Sequence, residues 1–256
     1  MLKDIASKLC CVSIVGGEGR RLRPFTSEKP KALLPVGIEK KPMLEFVMMP
    51  WIKFGIKKYV FCTGYRGGMI EQHFRDGNRL GVHIDYSTEK ISLETGGAIK
   101  NAIDNKKLSK NQPIIIFYCD DFVRLNTKDF LKSHLHGVEH GFKATLVATS
   151  KFKPHYGILE TENIGKGIKK VVDFKEKPLI DKNANVGIYC LEPEALELID
   201  KFKPPFKFER VILPELVKRG WLMVYEIPWD YWLPVNTDKE YDEVLKMNLT
   251  DFYREF

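Results

Sequence analysis

Short apolar runs rich in β-branched residues recur through the first 150 positions, and an amphipathic stretch of helical period follows almost every one. "CCVSIVGG", "KKYVFCTGY", "GVHIDYS", "PIIIFYCDD" and "FKATLVATS" read as strands. "PMLEFVMMPWIKFG", "GGMIEQHFRDG", "GGAIKNAIDNKK" and "NTKDFLKSHLHG" read as helices. Near-continuous apolar runs suit strands buried on both faces, and parallel neighbours need crossovers of the length these helices supply. The pattern predicts an α/β fold: a Rossmann-like, mostly parallel mixed sheet flanked by helices. Ligands of such sheets collect beyond the carboxyl ends of the strands. The glycines after the first run and the aspartates after "IIIFYC" both fall at such ends.

Local signals refine this frame. Pro50 is expected to bend or end its helix and Gly55 to close it. Asn126 or Thr127 is a natural N-cap. Beyond about residue 150 the pattern loosens into an elaborated C-terminal half. There "YGILETENIGKGIKKVVDFKEKP" reads as two strands around a Gly-rich turn, and a helix begins near Pro193. "DKEYDEVLKMNLTDFYREF" reads as a closing helix capped by Thr237. No Pro/Gly/Ser linker, repeat or low-complexity segment interrupts the chain, so residues 1–256 are read as one domain.

The formal charge is +7 and the pI about 9.0. Nucleic acid and small anions are the two partners such a balance suggests. Lys and Arg are spread without a dominant block, which disfavours nucleic acid. No apolar run reaches membrane-span length and the first residues lack a secretory core, so the expected location is the cytoplasm, with no membrane partner. The five cysteines form no CxxC pair and read as buried free thiols. His134 and His136 are read on a wet helix face, and Trp229, Tyr231 and Trp232 as packing residues.

The loop "VGGEGRRLRPFTSEKPKALLPVG" carries the chemistry. Gly16, Gly17 and Gly19 let backbone N–H groups approach an anion. Arg21 can fork onto phosphate oxygens, and Lys31 is a compact charge that needs only proximity. A basic, proline-punctuated loop separates the glycines from the next helix, so a GxGxxG dinucleotide fingerprint fits badly.

This loop resembles the signature of the sugar-1-phosphate nucleotidyltransferases, which runs Gly-Gly-x-Gly-Thr-Arg-Leu-x-Pro, then Pro-Lys before an apolar pair and Pro. Arg20 stands where Thr is usual. The resemblance continues in order over nearly the whole chain. "LETGGAIKNA" resembles the turn that contacts base and sugar, implying Thr95 and Gly96 at the nucleotide, with Glu94 in place of a Gly. "FYCDDFVRLNTK" resembles the strand ending in a metal-binding Asp; counting from the following helix favours Asp120, with Asp121 the fallback. "FKEKP" resembles the sugar-phosphate motif, implying Glu176 and Lys177. "NVGIY" implies Asn185 and Gly187 at the sugar, and "HYGIL" implies Gly157. "YWLPVNTDKEY" lies where the family supplies a second metal carboxylate; Asn236 replaces it, and Pro234 occupies the other place where relatives carry Asp.

The resemblance implies an Mg²⁺-dependent transfer of a nucleotidyl group from an NTP to a hexose 1-phosphate, giving an NDP-sugar and pyrophosphate. Arg21, Lys31, Asp120 and Lys177 would be the catalytic set, and Asp120 with Asn236 the metal set. Residues from about 1 to 150 would form the nucleotide half and those from about 151 to 256 the sugar-phosphate half. A homo-oligomer is compatible with this reading. Glu89, at the end of the third strand, is placed near the base, where its carboxylate suits the N4 amino group of cytosine or the N1–H and N2 amino group of guanine. The "TGG" turn and "LPVNT" are nearest to glucose-1-phosphate cytidylyltransferases, so CTP is the first expectation and UTP, dTTP or GTP the next. The departures Arg20, Glu94 and Asn236 support a second reading, a non-catalytic nucleotide-sugar-binding subunit.

Overall fold

A computed structural model describes residues 2–154 and 156–254. Its centre is a seven-stranded sheet. In chain order the strands are β1 Cys10–Ile14, β2 Lys58–Thr63, β3 His83–Thr88, β4 Ile114–Tyr118, β5 Ala144–Thr149, β6 Ala184–Leu191 and β7 Leu222–Ile227. They lie in the spatial order β7-β5-β6-β4-β1-β2-β3. β1 pairs parallel with β2 and β4, β2 with β3, and β5 with β7. β6 alone runs antiparallel, against β4 and β5. The fold is thus the expected mixed, mostly parallel α/β sheet, and strands of the C-terminal half extend it.

Side-chain alternation along the strands explains why both faces are covered. Cys11, Tyr59, Phe61, Ile115 and Phe117 point to one buried cluster, with the helices Met43–Phe54 and Thr127–Glu139. Cys10, Val12, Val60, Cys62, Ile114 and Ile116 point to the other, with the helices Glu94–Asp104 and Phe208–Lys218. All five cysteines are free and buried, as their apolar surroundings predict. No described helix is long and apolar enough to cross a membrane.

Some local expectations change. The helix Met43–Phe54 runs through Pro50 to Gly55, because buried Phe46, Val47, Pro50 and Trp51 lock that turn into the core. Asn126, not Thr127, caps its helix by accepting from Asp129 N. The closing helix breaks in two: Asp238–Leu245 has Thr237 and Glu240 as a capping box, and Asn248 caps a separate turn, Leu249–Phe252. His136 is exposed, but His134 is 3% exposed. It faces the sheet because it falls on the same helical stripe as Phe130 and Leu131, with Thr127 and Gly137 buried on the same side.

Inside, the His134 ring nitrogens meet Thr145 Oγ1 at 2.7 Å and Glu192 Oε1 at 3.0 Å. Burial opposes charging the ring, but Cys190 and Glu192 outweigh it and push the imidazole up to about 10. A raised folded-state value stabilises the fold fully below about 6.5 and loses that contribution as pH climbs towards 10. His134→Ala is expected to cost about 1.5–3 kcal/mol at pH 6. Urea unfolding from pH 6 to pH 10 checks this: the difference between wild type and variant should shrink across that range.

Candidate active site

The strand order reverses at β1. β2 and β3 lie to one side and β4 to the other, so the loops leaving β1 and β4 open a crevice between them. Two adjoining cavities occupy this edge. One, of about 350 Å³, is lined by Gly17, Gly19, Arg20, Arg21, Lys31, Thr95, Tyr118, Asp120 and Asn236, with apolar neighbours. The other, of about 500 Å³, is lined by residues 16–20, among them Glu18 and its ion-pair partner Arg20, and by Gly64, Tyr65, Glu89 and the segment 90–92. Gly17, Gly19 and Arg20 border both.

The Gly-rich loop is shaped by its sequence. Gly19 sits at φ +61° and opens a 3-10 turn over Arg20–Leu22. A Cβ there would be strained and would stand 2.9 Å from Thr26 Cγ2. Thr26 Oγ1 donates to Gly19 O at 2.9 Å, holding the loop closed. Pro30 caps a second 3-10 turn, Lys31–Leu33, which turns Lys31 back under the loop.

In the first cavity Lys31 Nζ donates to Asp120 Oδ2 at 2.5 Å, with only 12% of the Lys31 side chain exposed. Arg21 donates to Asn236 Oδ1 at 2.7 Å. Residues 215 positions apart meet because Asp121–Val123 pairs antiparallel with Trp232–Pro234 and Val235 N donates to Asp120 O at 2.8 Å. Asp121 turns away from the cavity. Trp232 Nε1 donates to its Oδ1 at 2.8 Å, and burial, then the adjacent Asp120 charge, holds its carboxyl up to about 8. Asp120 is the member of the pair that faces the cations.

Thr95 lines the cavity, but its hydroxyl is committed: it donates to Glu209 Oε2 and accepts from Phe208 N, both at 2.8 Å. Tyr118, whose phenol burial pushes up, donates to Glu209 Oε1. Glu209 thereby joins the floor of the site to a distant helix. Nothing in the sequence singled out Glu209, which no motif contains; Tyr118 lies within "FYCDD" but drew no reading of its own. Gly96 lines neither cavity. Its N–H and that of Gly97 donate to Phe206 O, and a Cβ at Gly96 would stand 2.2 Å from the Phe206 ring. The "TGG" glycines therefore answer to helix packing here, and Glu94 takes up φ +61° at the start of the helix.

Glu89 stands in the second cavity and accepts from Leu93 N at 3.0 Å. Burial raises its pKa; the Leu93 N–H lowers it and the nearby Glu94 charge adds to the rise. A Cβ at Gly16 would lie 3.0 Å from Glu89 Oε1 and 3.1 Å from Gly64 N, so β1, β2 and β3 end in close mutual contact there.

The sugar-side residues divide into two groups. Gly187 lies at φ +81°, and a Cβ there would meet Tyr118 Cδ2 at 2.7 Å and Asp121 Oδ2 at 3.0 Å. Asn185 spends its side chain locally, accepting from Gly187 N at 3.1 Å and donating to Tyr189 OH at 2.7 Å. Gly157 lies instead by Phe174 and Glu176, beside the hairpin of Ile158–Gly165 and Ile168–Lys175. Lys177 pairs at 3.8 Å with its neighbour Glu176, and neither lines the two cavities. Gly187→Ala is expected to destabilise the fold by about 1–3 kcal/mol through left-handed strain and the Tyr118 clash. Guanidinium unfolding measures it; unchanged stability would mean Tyr118 yields without cost.

The nucleotidyl transferase family profile matches residues 11–249. The chain belongs to the nucleotidyl transferase family. It is 33% identical over 209 residues to the D-glycero-alpha-D-manno-heptose 1-phosphate guanylyltransferase of Aneurinibacillus thermoaerophilus, covering 79% of this chain and 82% of that one. It is 29% identical over 231 residues to mannose-1-phosphate guanyltransferase beta-A of Xenopus laevis, covering 89% of this chain. The chain spans 61% of the length of that relative. A UDP-glucose pyrophosphorylase solved with UDP-glucose shares the nucleotidyl transferase fold at a TM-score of 0.67 and 18% identity, over 96% of this chain and 99% of that one.

Proposed function

We propose that the chain transfers a guanylyl group from GTP to a hexose or heptose 1-phosphate and releases pyrophosphate. The observation that carries this reading is the pair of adjoining cavities, one with a half-buried Glu89 carboxylate and one with Lys31, Arg21 and Asp120. A base in the Glu89 cavity puts its triphosphate across Gly17, Gly19 and Arg20 into the cation-lined cavity. Guanine offers a carboxylate two adjacent donors, N1–H and the N2 amino group. Cytosine sets its N3 lone pair beside its single amino donor, and uracil or thymine flanks N3–H with two carbonyl oxygens. Guanine is thus the best complement of Glu89. The packing of Gly96 and Gly97 gives the "TGG" turn, one of the two motifs that favoured CTP, a structural reason of its own. Of the three similar proteins named above, the two aligned by sequence are guanylyl- or guanyltransferases by name, and the third, alike in fold, is a UDP-glucose pyrophosphorylase.

Two anions must meet for this reaction, so positioning and positive charge dominate. Arg21 and Lys31 hold triphosphate oxygens, and Arg20 borders their path from the base. An oxygen of the sugar 1-phosphate attacks the α-phosphorus in line. The new P–O bond forms as the bond to the β-phosphate oxygen breaks, and pyrophosphate carries away the electron pair. Lys177 is proposed to hold the sugar phosphate, together with Glu176, Gly157, Asn185 and Gly187 around the sugar. No protein nucleophile is required.

The donor set fits Mg²⁺. Asp120 brings a carboxylate and Asn236 an amide oxygen to one cavity, and Mg²⁺ commonly takes one or two carboxylates plus substrate phosphates. When bound there, it would supply charge neutralisation at the phosphates.

Pyrophosphate release is the test, with GTP, UTP, dTTP and CTP each against a panel of hexose and heptose 1-phosphates. GTP is expected to lead by at least tenfold in kcat/KM. Folded, Mg²⁺-replete protein that turns over no pair overturns the enzymatic reading, and a CTP lead overturns the base.

A further inference from the structure

A third cavity, of about 560 Å³, lies on the other side of the turn that carries Lys31. Lys29, Lys40 and Arg75 border it, no acidic residue does, and its walls include the apolar side chains of Leu33, Pro42 and Met69. The three cations come from separate elements. Lys29 ends the Gly-rich loop, Lys40 precedes the short strand Lys41–Pro42, and Arg75 ends the helix Gly67–Phe74. Among the described residues none of the three side chains has an ion-pair or hydrogen-bond partner, although neighbouring charges are paired: Glu45 binds His73 at 2.8 Å and also Arg79. Lys40 and Arg75 both hold φ +51°, a conformation that costs a non-glycine residue energy. Three exposed cations on separate elements thus border one partly apolar hollow, where a multiply charged anion could meet all of them.

The position of this cavity gives it leverage. The single 3-10 turn Lys31–Leu33 forms the partition: Lys31 and Ala32 face the active-site cavity and Leu33 faces this one. Pro30 stiffens the link from Lys29 to Lys31. An occupant that draws Lys29 and packs on Leu33 bears directly on the turn that presents Lys31 to the triphosphate.

We propose that this cavity is a second anion site, for a small phosphorylated metabolite carrying at least two phosphate groups or one diphosphate, and that its occupancy changes the affinity for the nucleotide. The binding part stands on the cavity alone; the coupling part rests on the function proposed above. Inorganic pyrophosphate is a direct probe, because it fits either site. Calorimetry without divalent metal is expected to find two pyrophosphates per wild-type chain, and one in Lys40→Ala/Arg75→Ala. The remaining one should vanish when Arg21→Met/Lys31→Met is added. Lys29→Gln provides a second variant from a different element and should weaken the same site at least tenfold. One pyrophosphate per wild-type chain, or a second that survives Lys40→Ala/Arg75→Ala, overturns the site. Two that respond to Lys40→Ala/Arg75→Ala but not to Arg21→Met/Lys31→Met would leave this site standing and sink the catalytic assignment. For coupling, millimolar hexose bisphosphate should shift KM for GTP at least threefold in wild type. It should leave KM unchanged in Lys40→Ala/Arg75→Ala, whose basal kcat stays within twofold. An equal shift in both proteins overturns the coupling.

Discussion

Lys31→Met is expected to lower kcat/KM for nucleotidyl transfer by about 10²–10³-fold while the protein stays folded. The side chain is nearly enclosed, and its ammonium lies 2.5 Å from Asp120. Both groups face the cavity proposed for the triphosphate, so removing Lys31 subtracts a positive charge where the transition state is most anionic. It also leaves Asp120 without its partner, facing the incoming phosphates. The loss should appear in kcat as well as KM, because charge on the leaving pyrophosphate rises as the bond breaks. Lys31→Arg should recover only part of the activity, since a planar fork cannot replace a point charge inside the bend of a 3-10 turn. Steady-state kinetics on both variants, with thermal unfolding as the control for folding, decides it. A Lys31→Met protein within tenfold of wild type removes Lys31 from the catalytic set.

Glu89→Gln is expected to reverse base preference. The substitution keeps the shape and exchanges one acceptor oxygen for an amino donor. Against guanine, the new donor faces the N1–H and N2 amino group, so GTP should lose about 10²-fold in kcat/KM. Against uracil or thymine, the amide oxygen accepts from N3–H while the amino group donates to a flanking carbonyl, so UTP and dTTP should gain. Acidification gives an independent readout. The raised pKa of Glu89 means that its carboxylate protonates earlier than an ordinary glutamate as pH falls. Only the ionised form accepts from both guanine donors, so KM for GTP should climb as pH falls through that value, and the climb should be absent in Glu89→Gln. A variant that keeps the wild-type base ranking would show that another group reads the base.

The residues that were legible in advance are those whose chemistry depends on short-range order. Gly19 precedes its 3-10 turn, Arg21 lies within that turn, and Pro30 precedes Lys31, so the loop could be read from neighbours alone. The strands were legible because burial on both faces demands uninterrupted apolar runs. Thr237 was legible as a cap because capping answers to the residues next to it; its capping-box partner Glu240 came from the structure. His134 was misread because helical periodicity tells which residues share a face, and not how much of that face the sheet covers. Pro50 does not end its helix because the burial of Phe46, Val47 and Trp51 together outweighs a proline's local penalty.

Other facts needed the third dimension. Asp120 and Asp121 are adjacent and chemically identical in sequence, yet one faces Lys31 and the other is buried under Trp232, where burial raises its pKa. That difference comes from desolvation, which depends on what packs above a side chain. Gly96, expected at the nucleotide, also makes room for Phe206, 110 residues away. Glu209 joins the site through Thr95 and Tyr118 with no motif to announce it.

By itself, then, the order of residues determined the alternating α/β frame and the Gly-rich, Arg- and Lys-bearing loop at the end of its first strand, because secondary structure and turn chemistry answer to near neighbours. Only the tertiary structure decided which carboxylate faces the cations, which glycines are held against packed side chains, and that three cations without a partner among the described residues gather behind Lys31. Each of these depends on burial and charge contributed by residues far apart along the chain.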